Sequence, residues 1–191
     1  MKTPRTNSRE KILTAAAAVA RENGPGNLSL DAVANRAGVS KGGLLYNFPT
    51  KAKLMQALVE NYLKEFEHAL EVESAANSKE SLLAIYIRLS TRECEKTHPS
   101  ASWIFSAVAE DPDFLAPIKS FRRQLFDRLK AETPDLNALL VAYLAIEGMR
   151  SLNLFDFDLL SEREREMLTS SLLEIVETGP VPPMRPCRLS K

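Results

Sequence analysis

Leu28-Ser29-Leu30-Asp31-Ala32-Val33-Ala34-Asn35-Arg36-Ala37-Gly38-Val39-Ser40-Lys41-Gly42-Gly43-Leu44-Leu45-Tyr46-Asn47-Phe48-Pro49-Thr50-Lys51 spells out two short helices about a glycine turn. Ser29 supplies an N-cap for a short helix near 30–37. Gly38 can take the left-handed conformation without steric penalty. A further short helix starts after Ser40 and ends near Phe48, because Pro49 disfavours helical geometry in the residue before it. Ala34 has no bulk to hold the two helices apart, and Val39 is placed to anchor the turn in the core. Two short helices joined by a glycine in this way match a helix-turn-helix. An ordinary helical hairpin satisfies the same local spacing, so the chemistry of the second helix has to separate the two.

That second helix opens with Ser40, Lys41, Gly42 and Gly43. Small side chains, a positive helix end and a cation suit close approach to phosphates and base edges. A helix that only packed would not choose two glycines, each costing up to about 1 kcal/mol of helix propensity relative to alanine. At its far end Tyr46, Asn47 and Lys51 supply polar groups that reach for a sugar-phosphate backbone. Charge agrees with this reading. The 191-residue chain carries 25 basic and 25 acidic side chains, yet residues 1–53 hold nine basic and three acidic ones, leaving +6 there and −6 in the rest. Such polarity suggests that one end meets a polyanion.

Outward from this segment the chain reads as all-α, with apolar residues recurring at spacings of three and four and no sustained alternation. A first helix is expected over 8–23, with Ile12, Leu13, Ala16, Ala17, Val19 and Ala20 on one face and Gly24-Pro25-Gly26 stopping it. Thr50 is expected to cap a long fourth helix, whose stripe runs through Leu54, Met55, Leu58, Val59, Tyr62, Leu63, Phe66, Ala69 and Leu70 and spans roughly 24 Å or more. Asn77 and Glu80 stand at capping-box spacing before the helix carrying Leu82 to Leu89. After a break at His98-Pro99 a short helix is expected around Trp103 and Phe105. Asp111-Pro112 and Thr133-Pro134 each place a cap and a first-turn proline, before helices at 113–131 and about 134–152. Ser161 and Glu164 form another capping box, before a helix to about Glu177. Four prolines in the last thirteen residues, from Gly179 on, read as a disordered tail.

The order Leu28-Ser29-Leu30-Asp31-Ala32-Val33-Ala34, then Ala37-Gly38-Val39-Ser40-Lys41-Gly42, then Phe48-Pro49-Thr50-Lys51 resembles the tetracycline-repressor (TetR/AcrR) family of bacterial transcription regulators, most specifically over residues 8–60. The resemblance implies an all-α homodimer in which an N-terminal three-helix DNA-binding domain, a connecting fourth helix and a divergent C-terminal domain follow in order. It divides this chain into a helix-turn-helix domain at 1–51, an effector-binding and dimerisation domain at 52–178 and a tail at 179–191. Carried over by position, Ser29 contacts the DNA backbone, Ser40, Lys41, Gly42, Gly43 and Leu44 form the groove-facing start of the recognition helix, and Lys51 meets a phosphate. Where many members have a tyrosine followed by two residues and the phenylalanine, this chain has Leu45, expected to pack inward. Tyr46 and Asn47 are the alternatives for that tyrosine's phosphate contact. The partners so implied are double-stranded operator DNA, a small-molecule effector and a second copy of the chain. No cofactor is implied.

The C-terminal part offers candidate effector contacts: Tyr62, Phe66, Tyr86, Trp103, Phe105, Phe121, Phe126 and Tyr143. Aromatics at helical spacing are more often core than binding site, whereas Arg88 and Glu147 lie among apolar neighbours, where a buried charge needs a partner that an effector could supply. The effector is expected to be hydrophobic or amphiphilic. Leu139, Leu140, Tyr143, Leu144, Ile146, Leu152 and Leu154, with Leu168, Leu172, Ile175 and Val176, give more apolar surface than one wrapped core readily covers. A four-helix interface with a twofold copy, made by the last two helices, would bury it.

Enzyme classes find no support. His68 and His98 are the only histidines, and no HExxH, GxSxG, P-loop or Cys-His ligand spacing is present. Cys94 and Cys187 are isolated thiols, which suits a reducing compartment and neither a zinc site nor a disulfide framework. The longest apolar run, Ala15 to Ala20, is far short of the roughly 20 residues that cross a bilayer, and residues 1–7 lack a hydrophobic signal segment, so the chain is expected in the cytosol without a membrane partner. The expected function is that of a sequence-specific DNA-binding regulator, a repressor released from its operator by an effector. An architectural or division-control DNA-binding protein, and a ligand-binding protein whose DNA binding has lapsed, are the alternatives.

Overall fold

The computed structural model describes residues 8–96, 107–155, 157 and 159–178. Among them there are helices and no strands: α1 (Ser8–Asn23), α2 (Leu30–Ala37), α3 (Lys41–Asn47), α4 (Lys51–Ala76), α5 (Leu82–Lys96), α6 (Ala116–Glu132), α7 (Leu136–Leu154) and α8 (Glu162–Thr178). A 3-10 turn, Pro25–Asn27, follows α1, and residues 107–110 are helical. The expected short helix at Trp103 and Phe105, the break at His98-Pro99 and the tail at 179–191 lie outside the described residues.

The head is built by local signals acting in sequence. In α1, Ile12, Ala15, Ala16 and Val19 are buried on one stripe. Gly24, at φ 78°, ends it in the left-handed region, and Asn27 closes the turn by donating its side-chain N–H to the Asn23 carbonyl at 2.9 Å. Ser29 caps α2 by accepting from the Ala32 N–H. At the other end Gly38 is left-handed, at φ 66°, while its own N–H and that of Val39 return to the Asn35 and Ala34 carbonyls. Those two bonds satisfy the orphan carbonyls of α2 and turn the chain into α3. Ser40 Oγ then accepts from the Gly43 N–H at 3.1 Å, and Thr50 Oγ1 from the Lys53 N–H at 3.1 Å.

Two compact units divide the chain, one of residues 1–68, 98–124 and 154–156, the other of residues 69–97, 125–153 and 157–191. The first has an apolar core among its described residues. Ile12, Ala16, Leu28, Val33, Leu44, Phe48, Leu54 and Met55 meet there with two residues from much later in the chain, Ala107 and Phe114. In the second unit Leu82, Leu83, Ile85, Tyr86, Ile87, Leu129, Leu139, Ala142 and Ile146 are buried.

Several sequence expectations need correction. The α4 stripe is interrupted: Leu54, Met55, Phe66 and Leu70 are buried, with Ala52 and Ala57, but Tyr62 is 43% exposed. Leu45 does not pack inward; on a seven-residue helix only one side can face the core, and Leu44 and Phe48, four apart, occupy it. The cap of α5 is Ser81, whose Oγ accepts from the Ala84 N–H, rather than an Asn77–Glu80 box. Asn77 instead ends α4, returning its backbone and side-chain N–H groups to the Glu73 carbonyl. Residues 112–115 form a turn after Asp111, so α6 begins at Ala116, and Asp135 rather than Thr133 caps α7, accepting from the Asn137 and Ala138 N–H groups. At α8 the Ser161–Glu164 box forms as expected, with Glu164 Oε2 accepting from Ser161 N–H at 2.8 Å and Ser161 Oγ accepting from Glu164 N–H at 3.3 Å.

Candidate nucleic-acid interface

Capping at Ser40 fixes where α3 starts and therefore which side chains it offers. Lys41, Gly42 and Tyr46 are exposed, Gly43 is half-buried, and Tyr46 stands out most, at 89% exposure. A Cβ added at Gly42 would meet no atom closer than 3.9 Å, whereas one at Gly43 would come within 3.3 Å of Ser40 Oγ. Gly43 therefore protects the cap, and Gly42 leaves an open approach to the backbone that no contact among the described residues requires. Leu44 corrects the sequence reading: its side chain is fully buried in the head core, so it holds α3 in place and presents nothing to a groove. Between the two alternatives for the tyrosine position, Asn47 is half-buried and donates one of its two side-chain N–H groups to the Gly43 carbonyl at 2.8 Å, while Tyr46 extends into solvent.

Partners of the cations reshape the electrostatics of this end. Lys41 Nζ lies 3.0 and 3.2 Å from the two carboxylate oxygens of Asp31. Arg36 forks onto Glu22, with one bond at 2.7 Å, and the pair pulls the Glu22 carboxyl below its ordinary range. Lys51 donates to the Gly26 carbonyl at 3.1 Å, which steers it beside the 3-10 turn. An ammonium has three N–H donors, so this bond leaves others for an anion. The Arg9 guanidinium sits 5.2 Å over the Phe48 ring. Ser29 uses its hydroxyl as a helix cap and remains near the start of α2.

One set of residues that sequence reasoning missed ties α4 to a later turn. Lys53 Nζ pairs with Asp111 Oδ2 at 2.6 Å, and one helical turn further along α4, Gln56 donates to the Asp113 carbonyl at 3.1 Å. The Asp-Pro dipeptide at 111–112 signalled a cap; nothing in it signalled a partner 58 positions upstream. Bonding to Lys53, helped by the Asp113 N–H, holds the Asp111 carboxyl below its ordinary range, against the opposing effect of its partial burial. A depressed folded-state value means that the ionised form stabilises the fold above the ordinary carboxylate range near 4, and that this stabilisation is lost as pH falls through the folded value. Asp111→Asn should therefore lower the melting temperature at pH 7 and narrow its gap to wild type near pH 3, as thermal unfolding across that range would report.

The candidate effector residues fall into separate surroundings. Phe66 and Phe121 meet edge-on, with centroids 6.2 Å apart, in the first unit. In the second, Tyr86 stacks on Tyr143 at 5.8 Å, and Phe126 meets Tyr143 edge-on at 4.9 Å. Glu147 accepts from the Tyr86 hydroxyl at 3.4 Å and lies 3.7 Å from Arg150, which donates to Ser90 Oγ at 3.0 Å and covers the Tyr86 ring. Burial pushes the Tyr86 hydroxyl well above its ordinary range, so it donates as a neutral phenol. Arg150 and Ser90 were not expected from sequence. Arg88 corrects the expectation of a buried charge awaiting an effector: its side chain is 37% exposed and its guanidinium is paired with Glu80. Trp103 and Phe105 lie outside the described residues. Among those described there is no metal-binding cluster and no helix long and apolar enough to cross a membrane.

A helical head with a glycine-hinged helix-turn-helix, followed by a helical C-terminal part, defines a class of regulator that comparison makes specific. Residues 12–58 match the N-terminal model of the bacterial regulatory proteins of the tetR family, and residues 80–177 match a tetracyclin repressor-like C-terminal domain. The chain belongs to the tetracycline-repressor family and is a DNA-binding transcriptional regulator, not an enzyme. It is 25% identical over 142 residues, 71% of this chain and 72% of its relative, to an HTH-type transcriptional regulator in the lacX 3' region of Lactococcus lactis subsp. lactis. Its fold is similar to that of the multidrug binding protein EbrR in complex with imidazole, at TM-score 0.64 and 20% identity, covering 94% of this chain and 99% of that one. It is also similar to the fatty acid degradation regulator FadR of Bacillus halodurans, at TM-score 0.56 and 16% identity, covering 94% and 97%. Regulators of this family bind operator DNA and small-molecule effectors and function as dimers.

Proposed function

We propose that the chain acts in the cytoplasm as a homodimeric repressor, reading a pseudo-palindromic operator through α3 and released by a hydrophobic or amphiphilic effector held by the C-terminal helices. The carrying observation is the open approach at Gly42, flanked by Ser40, Lys41 and the exposed Tyr46, on the part of the chain that holds the excess of basic side chains. Residues 1–51 supply the DNA contacts and residues 52–178 the effector site and dimer face. Tyr46 takes the phosphate contact, because its side chain stands in solvent while Asn47 is half-buried and turned back onto the Gly43 carbonyl. Successive major grooves put the half-site centres about 34–36 Å apart, with a larger spacing where two dimers share a site.

The effector core proposed is the aromatic group of Tyr86, Phe126 and Tyr143 with Glu147 as its polar anchor, while Phe66 and Phe121 form a second aromatic contact. That EbrR is described as a multidrug binding protein and FadR as a regulator of fatty acid degradation supports an apolar or amphiphilic molecule. Effector binding shifts α4 and changes the separation of the reading heads. The coupling is reciprocal, so operator DNA weakens effector binding by the factor by which effector weakens operator binding.

Footprinting on the DNA flanking its own gene, with Lys51 variants, tests this reading. A two-fold symmetric protected region is expected. Lys51→Ala should weaken binding nearly uniformly across sequences and reduce the slope of log K against log salt by about two per dimer, one for each phosphate that is no longer neutralised. Protection of one asymmetric half-site by a monomer, or a Lys51 variant that relaxes sequence preference at constant slope, would show the recognition surface to lie elsewhere.

A further inference from the structure

Beside the recognition helix stands a carboxylate that suits the N-terminal end of α2, yet is aimed at a cation of the DNA-facing side. Asp31, in the first turn of α2, turns both oxygens toward Lys41 Nζ, at 3.0 and 3.2 Å, and both side chains are mostly exposed, at 66% and 59%. An ion pair this open contributes little to folding. It is also costly to DNA binding, because it puts a negative charge beside the side chains proposed to meet a polyanion and engages one of their cations. Residues 1–53 contain only three acidic side chains, and a second of them, Glu22, is taken up by Arg36. On an otherwise basic head, a carboxylate at that point acts as a repulsive element, and repulsive elements serve discrimination between partners more than affinity for one.

We infer that Asp31 is a specificity-determining residue: it holds the Lys41 ammonium in the free protein and withholds it from the phosphates of arbitrary DNA. This rests on the reading of α3 given above. Non-specific binding is almost wholly a matter of phosphates neutralised, so every cation engaged by a carboxylate weakens it directly. At the operator a base edge can supply two aligned acceptors to a lysine, as guanine does through O6 and N7. Two such acceptors can replace the two carboxylate oxygens, whereas a random sequence offers them only by chance. The Asp31–Lys41 pair thus exchanges for a base edge where one is presented and stays closed elsewhere. Asp31 touches no base in this scheme and acts through Lys41, as a positioning residue.

The test measures the full-length protein on two fluorescent duplexes, one of random sequence and one carrying the site that the wild type selects in vitro, over a range of salt. Asp31→Asn should bind the random duplex roughly tenfold more tightly near physiological salt, with a slope of log K against log salt steeper by about two per dimer. Affinity for the selected site should change by less than about threefold, so the ratio between the two falls. Asp31→Glu, which keeps the charge, should restore both the slope and the ratio, an outcome that a merely structural role would not produce. If Asp31→Asn matches wild type on the random duplex while Lys41→Ala still weakens DNA binding, the inference is wrong and the reading of α3 stands. If Lys41→Ala leaves binding to both duplexes unchanged, the reading of α3 fails and this inference with it.

Discussion

Phe114→Ala is expected to lower the unfolding free energy by about 3–5 kcal/mol, the range for truncating a large aromatic side chain in a packed core. The ring is fully buried, and it is buried in the head: Ile12, Ala16, Leu44, Phe48, Leu54 and Met55 belong to the same cluster. These surroundings come from α1, α3 and α4, all more than fifty residues upstream. A cavity there has backbone helices for walls, and they relax poorly around a missing ring. Urea unfolding followed by helical circular dichroism measures the loss directly. Operator affinity is expected to fall with it, because Leu44 and Phe48, which hold α3, share the damaged core. A loss below about 1 kcal/mol would mean that the head core closes without residue 114. The same reasoning predicts that a fragment ending at residue 68 folds poorly, since it lacks both Ala107 and Phe114.

The contrast between what sequence disclosed here and what it concealed follows the range of each interaction. Ser29, Gly38, Ser40, Thr50 and Ser161 act on backbone groups within four positions, so their roles can be read from neighbouring letters alone. Where two candidates stand within a few residues of each other, neighbouring letters do not rank them: Ser81 and Asp135 cap α5 and α7, and Asn77 is taken up at the end of α4. Phase fails on short elements as well. Seven residues of α3 do not establish a period, and Leu44 and Leu45 exchanged their expected places because only the tertiary contact with the head core distinguishes them. The ties of Lys53 and Gln56 to residues 111 and 113 connect segments that the sequence keeps far apart. Asp31 was visible as one acid among many bases, but its partner ten residues on emerges only when the turn at Gly38 folds α3 back across α2.

Replacing Leu140 and Leu144 together with glutamate is expected to yield a monomer and to weaken operator binding by about 10²–10⁴-fold. Leu136, Leu140 and Leu144, four residues apart on α7, are 45%, 38% and 65% exposed, and Val141 beside them is 52% exposed. An unbroken row of exposed aliphatic side chains is unusual on a surface that remains in water. The same stretch carries no charge from Leu136 to Ile146, which suits pairing with its own twofold copy better than pairing with a charged partner. Gly148 continues the face, and a Cβ there would meet nothing within 4 Å, so no contact among the described residues accounts for a glycine in the middle of this helix. Affinity follows from assembly: a dimer binds its second half-site at the effective concentration set by the first, and a monomer loses that gain entirely. Because the two leucines are exposed in the single chain, the double variant should keep its helical content while sedimentation reports one chain in place of two. A variant that stays dimeric and binds operator as wild type does would move the proposed interface away from α7.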